Sequence, residues 1–199
     1  MIRLSVTMLD SYLYWRESEM ELDELVARIK GEAEPTQEML AGHAFHKLLE
    51  HASAGEFTVS AVDGFEFEFA LDQEFALPEI RELKGEHVFE TPVGPVTLVG
   101  KVDGLSGISV RDYKLTERFD AERYTDSYQW RSYLTMFSAE VFIYDVFQAR
   151  YDGPRVVVYD YHQLRLHAYP AMAADVHREV CGLAEIVAKY VPEKIQEAA

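Results

Sequence analysis

Cysteine is nearly absent from this chain of 199 residues, in which Cys181 stands alone. One thiol forms no internal disulfide, and by itself it supplies no four-cysteine zinc or iron–sulfur site. Long apolar runs are missing as well. None approaches the roughly 18 residues that a membrane-crossing helix needs, and the N-terminus lacks the basic and apolar regions of a secretory leader. These absences predict a soluble protein of the cell interior, in the cytoplasm of a bacterium or of a phage-infected host. Internal repeats, low-complexity tracts and Ser/Gly-rich linkers are missing too, which predicts one domain over residues 1–199. With 48% hydrophobic residues, such a domain can bury a full core.

Basic residues are also scarce, 19 against 35 acidic ones, for a formal net charge of −16. Phosphate affinity ordinarily comes from Lys and Arg, so the total argues against a nucleic-acid partner. The distribution softens that objection. Residues 1–100 carry 7 basic and 20 acidic side chains, and residues 132–199 carry 6 and 9, whereas residues 101–131 are balanced at 6 and 6. An acidic body around a locally neutral groove favours weak, metal-dependent, salt-sensitive binding.

Ser5 or Thr7 caps a first helix that aligns Met8, Tyr12 and Trp15. Glu21 to Lys30 reads as an acidic second helix closed by Gly31. From Thr36 to His51 the residues Met39, Leu40, Ala44, Leu48 and Leu49 recur at helical spacing, on a third helix that carries His46 and Glu50. The period then changes to two. Phe65–Phe69, His87–Glu90, Val96–Asp103 and Ile108–Lys114 read as strands of a meander, with turns at Pro92–Pro95 and Gly104–Gly107. A long helix is expected from about Ala121 to about Phe147, then a strand over Arg155–Tyr161 and an amphipathic helix over Ala171–Tyr190. This order predicts an α/β sandwich, a mixed central sheet flanked by helices.

The chemistry concentrates in two strand ends. Asp103 closes one strand and Asp112 lies near the end of the next, so antiparallel pairing brings the two carboxylates close enough to share a divalent metal. Two like charges in one place are unfavourable without a cation. Asp112 and Lys114 point to one face of their strand and Tyr113 to the other, which leaves the Tyr113 carbonyl as a further ligand. Lys114 then reaches an attacking water or a phosphate. Taken alone, Asp-Gly at a turn and Asp-x-Lys on a strand are ordinary solvated charge.

The flanking helices make the pattern specific. Gly42-His-Ala-Phe-His46-Lys-Leu-Leu-Glu50, Gly100-Lys-Val-Asp103, Asp112-Tyr-Lys114 and Gln129-Trp-Arg-Ser-Tyr133 occur in that order. Together they resemble the four motifs of the PD-(D/E)XK nuclease superfamily, and within it of the RecB-type exonucleases. The opening Leu4-Ser-Val-Thr-Met-Leu-Asp-Ser-Tyr12 is similar to that family's usual start. The resemblance implies a restriction-endonuclease-like sandwich with core motifs over residues 42–133, the N-terminal helices 5–30 and the C-terminal strand and helix 155–191 packing on it. It implies one or two Mg²⁺ or Mn²⁺ ions held by His46, Asp103, Asp112 and the Tyr113 carbonyl. Asp103, Asp112, Lys114 and Glu50 would be the catalytic set, with Glu50 in either direct contact or an orienting role.

Gln129 and Tyr133 share a helical face and would orient the DNA strand and the active-site acids. Arg118, Arg123, Arg131 and Arg111 are candidates for phosphate contact, although solvated charge is the default for each. The chain departs from the many family members that hold an iron–sulfur cluster on four cysteines, so no such cluster is expected, and a stand-alone nuclease module without a helicase portion is expected. The expected function is a DNA exonuclease acting on single strands or ends in recombination, repair or phage DNA processing. Hydrolysis would be in line, with water aligned by Lys114. DNA is the expected partner, with room for a recombination partner protein and for oligomerisation, and with no membrane. A non-catalytic binding protein on the same fold, a structure-specific endonuclease and an acidic DNA mimic are the alternatives. A mimic has no need of Lys114.

Overall fold

The computed structural model describes residues 2–52, 60–71, 75, 77–78 and 80–196. Among the described residues eight strands form one mixed sheet. They are β1 (Ile2–Ser5), β2 (Ser60–Val62), β3 (Phe65–Phe69), β4 (Ile80–Thr91), β5 (Gly94–Ser106), β6 (Ser109–Thr116), β7 (Val141–Asp152) and β8 (Arg155–His167). Their order is β1-β5-β6-β7-β8-β3-β2, with β4 paired along the other side of β5. Strands β1, β6 and β3 run parallel to β5, β7 and β8 respectively, and the remaining pairs are antiparallel.

Side-chain alternation along these strands gives the sheet two apolar faces. On one face Val96, Leu98, Val110, Phe142, Tyr144 and Val146 pack with α1 (Val6–Glu17), α2 (Leu22–Lys30), α5 (Gln129–Phe137) and α6 (Met172–Tyr190). On the other, Phe67, Tyr113, Phe147, Val156 and Val158 pack with Ala41, Phe45 and Leu49 of α3 (Gln37–His51). Ser5 caps α1 through Met8 N–H, and Thr36 caps α3 through Met39 N–H. The structure is thus the expected mixed sheet flanked by helices. Among the described residues no helix is long and apolar enough to cross a membrane.

Three expectations are corrected. The helix foreseen from Ala121 to Phe147 is α4 (Ala121–Asp126), α5 and then β7, separated from α5 by Ser138 in the left-handed region at φ 50°. Val141-Phe-Ile-Tyr-Asp-Val-Phe147 is dense in β-branched and aromatic residues and is buried on both faces, as a central strand requires. Its residues met a helical spacing only because both faces were counted together. The meander holds for β4, β5 and β6, but β3 lies across the sheet beside β8. The turn foreseen at Gly104–Gly107 falls later, since β5 continues to Ser106, which pairs with Ser109 around Gly107 at φ 57°. Strand β1, four residues long, gave no signal of its own.

Candidate active site

The site opens where β5 and β6 part. Their ladder runs through Ser106↔Ser109, Leu105↔Val110 and Gly104↔Arg111, and the next residues along each strand are Asp103 and Asp112. Asp103 Oδ2 accepts the Tyr113 N–H at 2.6 Å. The Tyr113 ring is buried in the opposite face against Phe147. Asp112 turns toward α5, where Gln129 Nε2 donates to its Oδ1 at 3.1 Å. Lys114 Nζ lies 2.6 Å from Asp112 Oδ2. Both carboxylates are nearly lost to solvent, Asp103 at 6% and Asp112 at 3% exposure.

Burial works against every charge here, and the neighbours decide the outcome. Asp112 is pushed up by burial and by Asp103, against the pull of Lys114. The Lys114 ammonium is disfavoured by burial, yet Asp112, Asp103 and Asp10 outweigh that and raise it, so it stays cationic. Its charge sits 5.8 Å from the Tyr144 ring centre.

Helix α3 brings His46 to the same place, with Nδ1 2.8 Å from Asp103 Oδ1. Burial disfavours the imidazolium, while the hydrogen bond and charge of Asp103 raise it. Glu50, one turn on, acts electrostatically on the Lys101 ammonium, which is ion-paired with Glu82. The end of α3 is held by Arg81, whose guanidinium donates to the carbonyls of Leu49, Glu50 and Ala52.

On α5, Gln129 reaches the site but Tyr133 faces away from solvent at 5% exposure, its hydroxyl donating to the Lys101 carbonyl. Gly100 makes room for that ring, because a Cβ there would meet Tyr133 Cε1 at 2.4 Å. Arg131 lies over Trp130 and Tyr128 and donates to the carbonyls of Asp126 and Ser127. Arg118 and Arg123 are exposed. Arg111, a candidate for phosphate, is instead ion-paired at 2.7 Å with buried Asp145, which also accepts from Tyr161 and Gln163.

Several neighbours of the site escaped the sequence reading. Tyr144 donates to Gln129 Oε1 at 3.4 Å, from the strand mistaken for helix. Asp10 of α1 accepts from Ser127 Oγ and lies near Asp112 and Lys114. The signal for Asp10 was present, an acid among the core residues Val6, Leu9, Tyr12 and Leu13 of one helix. Glu82 lies across from Asp103 where the β4–β5 ladder skips a pair, with its backbone in the left-handed region at φ 57°.

The donor set is an imidazole, two carboxylates and the adjacent Tyr113 carbonyl, a hard and oxygen-rich group that suits Mg²⁺ or Mn²⁺. Asp112 Oδ2 is fully sequestered and receives no hydrogen bond of good geometry, and its ion pair with Lys114 is what chiefly offsets its burial. Among the described residues no three His, Cys, Asp or Glu side chains converge as a ready-made cluster. The lone pairs that would serve a cation are engaged by His46, Lys114, Gln129 and the Tyr113 N–H. The residues therefore fit a divalent ion in kind, with their donors turned toward one another.

No model of a known protein family matches the chain, and no curated protein matches its sequence. Solved structures are similar to it. One is the crystal structure of SSO0001, at 16% identity and a TM-score of 0.53, covering 93% of this chain and 74% of the other. Two more are of LHK-Exo, an alkaline exonuclease from Laribacter hongkongensis, one of them in complex with dAMP. These are 14% and 15% identical, with TM-scores of 0.47, and cover 98% of this chain and 93% of theirs. At such identity the likeness to SSO0001 is one of fold, a large mixed sheet flanked by helices.

Proposed function

We propose that this chain is a Mg²⁺- or Mn²⁺-dependent nuclease that hydrolyses DNA phosphodiester bonds, working as an exonuclease on single strands or ends. One observation carries the reading. Asp112 and Lys114 form a sequestered pair at the parting of β5 and β6, beside an Asp103 carboxylate that is itself held by His46 and a backbone N–H. A structural ion pair has no use for a second carboxylate and an imidazole in the same low-dielectric place. The exonuclease half, and a place in recombination, repair or phage DNA processing, rests on the RecB-type resemblance of the four motifs.

A divalent ion bound by His46, Asp103, Asp112 and the Tyr113 carbonyl would supply Lewis-acid stabilisation of charge on the scissile phosphate. The chain's own groups do the rest. Lys114, kept cationic by its acidic neighbours, places a positive charge where a phosphate oxygen or an attacking water is oriented. Gln129 fixes the Asp112 carboxylate, and Tyr144 fixes the direction of the Gln129 amide. Glu50 and Lys101 form the outer edge beside Asp103. Tyr133 supports β5 from beneath, and Arg118 and Arg123 are exposed cations that would face DNA.

The test is cleavage of 5′- and 3′-labelled DNA, single- and double-stranded, linear and circular, with Mg²⁺ or Mn²⁺. Asp112→Ala and Lys114→Ala are expected to abolish cleavage while circular dichroism shows a folded chain. Asp112→Asn serves in case the alanine variant unfolds. Undiminished cleavage by these variants overturns the reading, and digestion of closed circles replaces exonuclease with endonuclease.

A further inference from the structure

One carboxylate near the site has no part in the chemistry above. Asp10 sits on α1, more than one hundred residues from the elements it meets, and it is half-buried beside Ser127 and the start of α5. Its Oδ1 accepts the Ser127 hydroxyl at 3.3 Å, and the backbone N–H of Gln129 also lies against it. Ser127 Oγ in turn accepts the Gln129 N–H at 3.0 Å. Because the hydroxyl proton is directed at Asp10, the oxygen lone pair is left facing Gln129. Gln129 opens α5 and carries the amide that donates to Asp112 at 3.1 Å.

This arrangement is a connected path of three contacts from α1 to a candidate catalytic acid. Helix α5 has no side-chain cap at its own N-cap residue, Tyr128, so the Asp10–Ser127 pair performs that task one residue earlier. The helix N-terminus favours a negative charge. Asp10 also presents its charge to Lys114 together with Asp112 and Asp103, which steadies the ammonium between the strands.

We propose that Asp10 is a positioning residue of this site: through Ser127 it fixes the first turn of α5 and so holds the Gln129 amide on Asp112. Its kinetic consequence rests on the nuclease reading, while its structural consequence does not. The charge is retained where it orients a hydroxyl and balances a lysine.

Asp10→Asn keeps the shape and removes the charge, and Ser127→Ala removes the relay without touching the carboxylate. Each variant is compared with the parent in two ways. The first is the side-chain amide signal of Gln129 in a ¹H–¹⁵N spectrum, identified as the pair lost in Gln129→Glu. The second is steady-state cleavage of single-stranded DNA with Mn²⁺. Both variants are expected to shift the Gln129 amide signal and to lower kcat about tenfold with KM within twofold of the parent. A Gln129 signal unmoved in both variants overturns the proposal, as does a parental kcat in both. If the parent itself cleaves nothing, the nuclease reading fails and the amide signal alone decides for or against Asp10.

Discussion

At the scale of single residues, Asp10 offers a measurement that separates function from folding. Burial lifts its carboxyl from the ordinary 3.8 to about 6, against the pull of Lys114 and its hydrogen bonds. The folded chain therefore binds this proton more tightly than the unfolded chain does. It follows that the residue costs stability as pH rises from about 4 through about 6, and that the cost is complete above that, on the order of 3 kcal/mol. Asp10→Asn is expected to raise the urea midpoint at pH 8, and the gain should vanish near pH 4, where Asp10 is protonated in both states. A variant that is less stable than the parent at pH 8 would refute this balance.

The same scale shows what the sequence could and could not disclose. His46, Asp103, Asp112 and Lys114 were legible because each sits in a short motif whose spacing survives in any reading. The contacts of Asp10, Ser127 and Tyr144 were not, because they join α1, the start of α5 and β7, which are remote in sequence. Tyr133 was legible as a neighbour of the site but not in its posture, since only the sheet shows that Gly100 leaves space beneath β5 for its ring.

Among the elements, α3 delivers His46, and its hold on the sheet is uneven. Ala41, Ala44, Phe45 and Leu49 bury one stripe, while the first turn, with Met39 and Leu40, is exposed. The far end depends on Arg81, one side chain satisfying three carbonyls that a helix terminus leaves without partners. Arg81→Met removes those donors while keeping the apolar stem, and should cost about 2–3 kcal/mol. Hydrogen exchange read by mass spectrometry should accelerate in the peptide spanning α3 and much less in β7. Parental exchange in α3 would show that packing alone holds the helix. The sequence disclosed this helix, its cap and its buried stripe, since all follow from local periodicity. The clamp from β4 was invisible, because nothing near Arg81 marks α3 as its partner. For the same reason β7 was misread, as a strand buried on both faces leaves no alternation to see.

For the molecule as a whole, composition and topology pull in different directions, and the geometry reconciles them. An acidic chain at −16 repels DNA at long range. About half of its cations are spent within the fold: Arg3, Arg16, Arg28, Lys30, Lys47, Lys101, Arg111, Lys114, Arg155 and Arg178 are each ion-paired with an acid. Arg118 and Arg123 are exposed near the start of α4, without an ion pair among the described residues. With Arg118 and Arg123 as the cations offered near the site, few phosphates are neutralised, so few counterions are released when DNA binds. Binding of a short fluorescent single strand to the Asp112→Asn variant, followed by anisotropy as KCl rises, should give a logarithmic salt slope of about −2 or shallower. A slope steeper than about −4 would require several further phosphate contacts and would mean that a basic surface, rather than the site itself, carries the affinity.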